Sequence, residues 1–186
     1  MEQMRVKDLM VPIEEYATVS HDATLLEAVL ALEHAQEKLD RMRYPYLHRA
    51  ILVLDQDKKV VGKISQLDAL RALEPQYEKM GDPTTLSRAG FSPKFLQTIM
   101  KQFSLLSDSL VNICGIAANR KVKSFMHTPG EGEYVEENAS LPEAIHQFVM
   151  GHHQSLLVTR GKEILGILRL TDVFKAIFQI MKTCGR

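Results

Sequence analysis

Two stretches of this chain decide its fold, because the second repeats the pattern of the first. One runs from Lys58 to Asp68 and reads KKVVGKISQLD, and the other runs from Lys162 to Asp172 and reads KEILGILRLTD. They lie 104 positions apart (172 minus 68), and both place two aliphatic residues, a glycine and a final aspartate at the same positions. Self-similarity of this kind indicates that a structural unit has been duplicated within the chain.

The repeat extends toward the amino terminus with a second spacing. Val6–Met10 (VKDLM) recurs as Val122–Met126 (VKSFM), and Asp22–Val29 (DATLLEAV) recurs as Asn138–Ile145 (NASLPEAI), each 116 positions later (122 minus 6). Because this spacing exceeds the other by 12 residues (116 minus 104), the first copy carries 12 extra residues, which we place within Glu37 to His48. The chain is therefore two copies of one unit, with a longer loop in the first.

Each copy has the same predicted order of elements. Two short aliphatic strands around a polar turn, Ala50–Leu54 and Val60–Ile64 in the first copy, predict a hairpin. With an opening strand near Tyr16 to Ser20 and a closing helix from Ala69, each copy reads as β-α-β-β-α, and the fold class is α+β. The first helix is predicted from apolar residues at i, i+3, i+4 and i+7, which are Leu25, Ala28, Val29 and Leu32 in the first copy.

The copies divide the chain into three predicted parts. Residues 1–73 form the first repeat, residues 122–186 form the second, and residues 74–121 are a helical insertion in which Ser92 caps a helix that starts at Pro93. A unit of about 60 residues buries only a marginal core. We therefore expect the two copies to pack against each other with pseudo-two-fold symmetry and to fold as one body.

Composition narrows the class of partner. Lysine and arginine number 23, as do aspartate and glutamate, so no excess positive charge favours nucleic acid or an anionic membrane. No apolar run approaches the roughly 20 residues that span a bilayer. The two cysteines, Cys114 and Cys184, are too few for a disulfide scaffold. We expect a soluble, cytoplasmic protein without nucleic-acid or membrane partners.

The repeated segment resembles the ligand motif of cystathionine-β-synthase (CBS) domains. That motif has a glycine, two mostly apolar residues, Ser or Thr, two variable residues and an aspartate. Gly62–Asp68 is similar to it, and so is Gly166–Asp172, with Arg169 in place of the hydroxyl residue. The resemblance implies a tandem CBS pair, or Bateman module, with two clefts between its copies. CBS pairs bind AMP, ADP, ATP, S-adenosylmethionine or related adenosyl compounds there, and they commonly associate as homodimers.

The resemblance also implies the ligand-binding residues. Asp68 and Asp172 hold the ribose hydroxyls, which suits a carboxylate that accepts two hydrogen bonds. Ser65 and Thr171 reach phosphate where a strand leads into a helix. The other expected contacts are two cations in the motifs and the residues that start the first hairpin strand of each copy: Lys63 and Arg169; His48, Arg49 and Ala50; His152, His153 and Gln154.

The sequence leaves several alternatives open. Arg169 either pairs with a ligand phosphate or fills the pocket and closes it, and the 12 extra residues lie close to the first cleft and reshape it. Ser65-x-x-Asp68 is also a helix-capping pattern, a role that does not exclude ligand binding. His152 and His153 are adjacent and would point apart on a regular helix, so we expect no metal site.

The function that we expect is ligand sensing without covalent chemistry. Binding would shift an equilibrium between two arrangements of the copies and signal to an effector protein that the sequence does not identify. The rival class is an enzyme that acts on a nucleotide, which needs a nucleophile, a general base or a metal beside the phosphates, and the sequence assembles none. A third class is a scaffold or dimerisation module whose clefts no longer bind.

Overall fold

The structure, a computed structural model, describes residues 4–79 and 91–184. The first copy comprises β1 (Val11–Pro12), β2 (Thr18–Ser20), α1 (Leu25–Glu37), β3 (Ala50–Leu54), β4 (Val60–Ser65) and α2 (Gln66–Arg71). The described chain between the copies forms α3 (Gln76–Lys79), α4 (Pro93–Gln102) and α5 (Leu110–Ala117). The second copy comprises β5 (Tyr134–Glu136), α6 (Leu141–Gly151), β6 (Ser155–Arg160), β7 (Glu163–Arg169) and α7 (Leu170–Cys184). The predicted α+β class and the tandem repeat are confirmed.

Side-chain hydroxyls cap the starts of α1, α2, α4, α5 and α6. The hydroxyls of Thr24 and Ser140 accept hydrogen bonds from backbone N–H groups in the first turns of α1 and α6, which satisfies donors that have no partner within the helix. Ser92 does the same for α4, where its Oγ accepts from Phe95 N at 3.2 Å. The predicted helix at Pro93 is therefore confirmed, while residues 80–90 of the predicted insertion lie outside the described residues.

Backbone pairing joins each sheet to a segment of the other copy. One sheet has the order β2-β3-β4, and the other has the order β1-β7-β6-β5. In the second sheet, β1 comes from the first copy and pairs with β7 of the second, with Val11 opposite Ile167. Reciprocally, His127 of the second copy forms an antiparallel bridge with Lys63 on β4, through two backbone hydrogen bonds of 2.9 Å. This reciprocal pairing gives the predicted pseudo-two-fold arrangement.

The hydrophobic cores are exchanged in the same way. Val6 lies before β1 in the first copy, yet it is fully buried in the core of the second copy with Leu156. Val122 lies at the start of the second copy, yet it is fully buried in the core of the first copy with Val53. Each copy therefore completes the core of the other, which explains how units with marginal cores form one stable body.

The repeated glycines allow the exchanged segments to approach. A Cβ added to Gly166 would overlap the backbone carbonyl oxygen of Val11 on β1. A Cβ added to Gly62 would come within 2.6 Å of the Met126 sulfur and 3.2 Å of the His127 carbonyl oxygen. At Gly166 only glycine leaves room for the backbone that the first copy contributes, whereas at Gly62 the closest atoms belong to the flexible side chain of Met126.

An apolar layer lies between the two copies. It joins side chains from both sheets to side chains of the excess loop, which we define as residues 37–48. Leu52 on β3 lies opposite Lys63, and Leu157 on β6 lies opposite Ile167, so Lys63 and Ile167 occupy equivalent positions facing this layer. The buried members of the layer are Val11, Tyr16, Leu39, Tyr44, Leu52, Leu157 and Ile167.

Candidate functional site

The hairpin registers show which predicted site residues correspond. Ala50 lies opposite Ser65 in the first copy, and Ser155 lies opposite Arg169 in the second. Ala50 and Ser155 are therefore equivalent, and so are His48 and His153. The residues in the second copy that correspond to His48, Arg49 and Ala50 are thus His153, Gln154 and Ser155, one position later than the predicted set.

The second motif contains a buried ion pair. Arg169 donates two parallel hydrogen bonds to Asp172, from Nε to Oδ2 at 2.5 Å and from Nη2 to Oδ1 at 2.8 Å. Arg169 is 4% exposed and Asp172 is 8% exposed. This bidentate geometry is the strongest that an arginine and a carboxylate adopt. Both oxygens of the predicted ribose-binding carboxylate are therefore already bound within the protein.

Arg169 also binds the first copy through its remaining nitrogen. Its Nη1 donates to the carbonyl oxygen of Tyr46 at 2.9 Å and lies 3.1 Å from Nδ1 of His48. Because a guanidinium can only donate, Nδ1 of His48 accepts, and Nε2 carries the hydrogen that it donates to the carbonyl oxygen of Glu15 at 3.0 Å. Burial, together with the Arg169 charge, lowers the pKa of His48 to about 4. The imidazole is neutral at pH 7.

The excess loop packs against this buried pair. The Tyr44 ring lies 5.6 Å from the Arg169 guanidinium carbon, and Tyr44 is buried. Gln36 Nε2 donates to the carbonyl oxygen of His48 at 2.7 Å, which ties the end of the loop to α1. The extra residues thus contact the motif of the second copy. Lys38, Leu39, Asp40 and Arg43 also line a cavity of about 700 Å³ beside β2 and α1 of the first copy. Their predicted place by the first cleft stays a prediction.

A cavity of about 450 Å³ lies beside Asp172. Its walls include Lys175 and Gln179 from α7, Leu9 and Met10 from the segment that precedes β1, and Arg43 and Tyr44 from the excess loop. This volume falls within the range of about 300–1,000 Å³ that small-molecule sites occupy.

The first motif forms a capping box. Ser65 Oγ accepts from Asp68 N at 3.2 Å, and Asp68 Oδ2 accepts from Ser65 N at 2.8 Å and from Ser65 Oγ at 2.6 Å. The capping alternative is therefore confirmed for these two residues. The other carboxylate oxygen, Oδ1, lies 3.8 Å from Arg71 Nη1, beyond hydrogen-bond distance, and the Asp68 side chain is 16% exposed. Oδ1 of Asp68 therefore accepts no hydrogen bond, whereas each oxygen of Asp172 accepts one from Arg169.

The ammonium group of Lys63 forms an ion pair with Glu133 of the second copy. Lys63 Nζ lies 2.6 Å from Glu133 Oε1, and His127 Nε2 lies 2.5 Å from Oε2 of the same carboxylate. Gly130 N donates to that oxygen at 3.0 Å. Burial raises the pKa of Glu133, but the hydrogen bonds from Lys63 and His127 outweigh it and hold the pKa at about 2.

Glu133 and His127 were missed by reasoning from the sequence alone. A signal existed, since Lys63 aligns with the buried Ile167, and a charge at an interior position requires a partner. Besides Lys63, the predicted residue His153 also lies near this group, with Nδ1 3.9 Å from Glu133 Oε1.

The other predicted site residues are dispersed. Arg49 and Ser65 line a largely apolar groove of about 500 Å³ between α1 and α2. His152 ends α6 in the left-handed backbone region at φ 52°, and both His152 and Gln154 are exposed. Thr171 is half-buried beside Asp172. Within residues 4–79 and 91–184, no three His, Cys, Asp or Glu side chains cluster in a way that could hold a metal ion.

Comparison with known families identifies both copies. The family model described as "CBS domain" matches residues 6–75 and 122–179. No match was found among curated proteins. Among the described residues, no helix is both long enough and apolar enough to cross a bilayer.

Solved structures with this fold are distant in sequence. A CBS domain-containing protein of unknown function from Bacillus anthracis is 20% identical, with 95% of this chain and 94% of that chain covered and a TM-score of 0.61. The CBS-pair protein CBSX2 from Arabidopsis thaliana is 16% identical, with coverage of 97% and 98% and a TM-score of 0.59. A structure of CBSX2 in complex with AMP is 18% identical, with coverage of 95% and 97% and a TM-score of 0.56.

Proposed function

The chain belongs to the CBS-domain family, and from that premise we propose that it is a non-catalytic sensor of adenosyl compounds. It binds AMP, ADP, ATP or S-adenosylmethionine in a cleft between its copies and signals the bound state to a partner protein. The observation that carries the proposal is the hydrogen bonding of the Asp68 carboxylate. Its Oδ1 accepts no hydrogen bond, while the capping box holds Oδ2 and so orients the group. A carboxylate held in this way accepts hydrogen bonds from ribose hydroxyls.

The similar fold of CBSX2, which has been solved in complex with AMP, supports the ligand class. His153 is half-buried beside Glu133 and Gly132, in the copy opposite Asp68, and it offers a donor for the phosphate side of the ligand. Because each copy contributes a backbone pairing segment and a core valine to the other, a ligand held between them changes the free energy of their relative arrangement. This coupling is the proposed route from ligand to partner.

A homodimer is the second part of the proposal. The helices of the second copy leave large apolar side chains in water, and contiguous apolar surface of this kind marks protein interfaces. Analytical ultracentrifugation of the purified chain tests the oligomeric state, and we expect the sedimentation of a dimer. The exposed side chains are Val149 and Met150 on α6 and Phe174, Phe178 and Met181 on α7.

Calorimetric titration tests the sensor proposal. AMP, ADP, ATP and S-adenosylmethionine are titrated into the full chain, and at least one is expected to bind while none is converted to product. Asp68→Asn should weaken that binding at least tenfold. The matched control is Glu143→Gln, because Glu143 forms the same capping box with Ser140 at the start of α6 and has no role in the cleft. Product formation would instead favour an enzyme.

A scaffold without ligand binding is the second candidate, and one observation favours it. Asp172, the second ribose-binding candidate, has both oxygens bound by Arg169. If the first cleft were equally unable to bind, none of the four ligands would give heat or raise the melting temperature. That result would leave dimerisation as the remaining role of the chain.

A further inference from the structure

The hairpin turns of the two copies line one cavity at the end of the hairpins that lies away from the motifs. β3 and β6 begin beside the motifs, with Ala50 opposite Ser65 and Ser155 opposite Arg169, and both strands run from there toward their turns. The cavity has a volume of about 920 Å³, and residues of both turns form part of its wall. Neither motif aspartate is among the described residues that line it. The cavity is therefore separate from the clefts that the family motif indicates.

The partly buried part of the wall is apolar and comes from both copies. It consists of Ile13, Val60, Tyr134 and Ile164, which are also the partly buried side chains that pack against the apolar layer between the copies. Val60 and Ile164 occupy equivalent positions of the repeat. The apolar layer therefore reaches this cavity, where it offers a ligand a surface that includes a tyrosine ring.

The exposed part of the wall is charged. It carries three lysines that form no ion pair within residues 4–79 and 91–184, namely Lys58, Lys59 and Lys162. Two carboxylates also line the cavity, and each has a partner other than these lysines. Glu136 Oε1 accepts a hydrogen bond from Thr159 Oγ1 at 3.2 Å, and Glu163 lies opposite Arg160 in the hairpin register. The excess of positive charge in the wall favours an anionic group.

We propose that this cavity, which we call the turn cavity, is a binding site for a small anion that carries an aromatic ring. The ring packs on Tyr134 and the aliphatic side chains beside it, and the anionic group lies among the lysine ammonium groups. The volume of about 920 Å³ lies within the range of about 300–1,000 Å³ that small-molecule sites occupy. Because both copies line the turn cavity, its ligand contacts both halves of the molecule. The site does not depend on the proposed adenosyl ligand.

Titration of the full chain with phenyl phosphate, followed by nuclear magnetic resonance, tests the site. The amide signals of residues 58–60 and 161–164 are expected to shift together and to saturate. The double substitution Lys58→Gln and Lys162→Gln should weaken this binding about fivefold or more, because it removes two of the three cations that attract the phosphate. The matched control is Lys94→Gln with Lys101→Gln, which removes two exposed lysines of α4 that do not line the turn cavity and should leave the affinity unchanged.

Two further probes separate the parts of the ligand. Inorganic phosphate carries the charge without the ring, and phenol carries the ring without the charge at pH 7, so each should bind about fivefold or more weakly than phenyl phosphate. Equal binding of either probe would contradict the proposed ligand class. Turn signals that do not shift, or an unchanged affinity in the Lys58 and Lys162 variant, would overturn the site itself.

Asp68→Asn distinguishes this inference from the proposed function. The substitution should weaken the binding of the adenosyl ligand and leave the phenyl phosphate shifts of both turns unchanged. Loss of those shifts in Asp68→Asn would show that phenyl phosphate binds in the motif cleft, and the turn cavity would then be rejected. A wild type that binds phenyl phosphate at the turns but no adenosyl compound would reject the proposed function alone.

Discussion

Lys63 of the first copy and Glu133 of the second form a largely buried ion pair, with 2.6 Å between Nζ and Oε1. The pseudo-two-fold relation places Ile167 at the position equivalent to Lys63, so the same site is apolar in one half and charged in the other. The charge is tolerated because Glu133 also accepts from His127 and Gly130. The duplicated halves have therefore diverged at this position, which faces the apolar layer between them.

Replacing Lys63 with isoleucine should destabilise the protein more than replacing both members of the pair. Lys63→Ile leaves Glu133 buried without its ammonium partner, and the free energy of unfolding should fall by about 3 kcal/mol. The double variant Lys63→Ile, Glu133→Ala should recover at least about 1 kcal/mol of that loss, since it leaves no buried charge. Urea unfolding measures both, and a double variant no more stable than Lys63→Ile would contradict the coupling.

Stability should fall in mildly acidic solution because of His48. Its pKa is about 4 in the folded protein against about 6.5 when unfolded, so between these values the unfolded chain binds a proton that the folded chain does not. The stabilisation is complete above about pH 6.5, and about 3 kcal/mol is lost as the pH falls toward 4. Unfolding free energies at pH 7, 6, 5 and 4 check this.

His48→Gln is the control for the pH dependence. Its amide offers one acceptor to Arg169 and one donor to the Glu15 carbonyl without a titratable group. The slope of stability between pH 6.5 and 4 should become shallower in this variant. An unchanged slope would show that another group is responsible.

The two motif glycines should differ in their tolerance of alanine. At Gly166 the added Cβ meets the backbone of Val11, which is held in β1, whereas at Gly62 it meets mainly the flexible side chain of Met126. We expect Gly166→Ala to lower stability by about 3 kcal/mol or to prevent folding, and Gly62→Ala to cost about 1 kcal/mol. Thermal unfolding compares them, and the reverse order would be inconsistent with the strand exchange.

Ser65→Ala separates capping from ligand binding. Loss of a capping hydroxyl should cost about 1 kcal/mol of stability in both Ser65→Ala and Ser140→Ala, because both residues cap a helix in the same way. Only Ser65→Ala should also weaken the binding of the adenosyl ligand beyond that common loss. Equal ligand affinities in the two variants would restrict Ser65 to capping.

The repeated sequence alone determined the element order and the fold class. Local signals suffice for these features: apolar spacing predicts a helix, paired aliphatic runs predict a hairpin, and a hydroxyl before an apolar run predicts a helix start. The helix beginning at Pro93 is one such prediction that the structure confirms. The duplication also implied two facing halves, because one copy buries too little surface to be stable.

Only the tertiary structure decided which side chains meet across the copies. Arg169 contacts His48 across 121 positions of sequence, and no local pattern indicates whether that arginine faces a ligand or an internal carboxylate. The segments that carry Val6 and Val122, each buried in the core of the other copy, are likewise placed by the packing of whole sheets. The ion-pair partners of interior charges such as Lys63 and Arg169 are set by contacts between residues that are distant in sequence. For this reason the two motifs have similar sequences but different side-chain contacts in the folded chain.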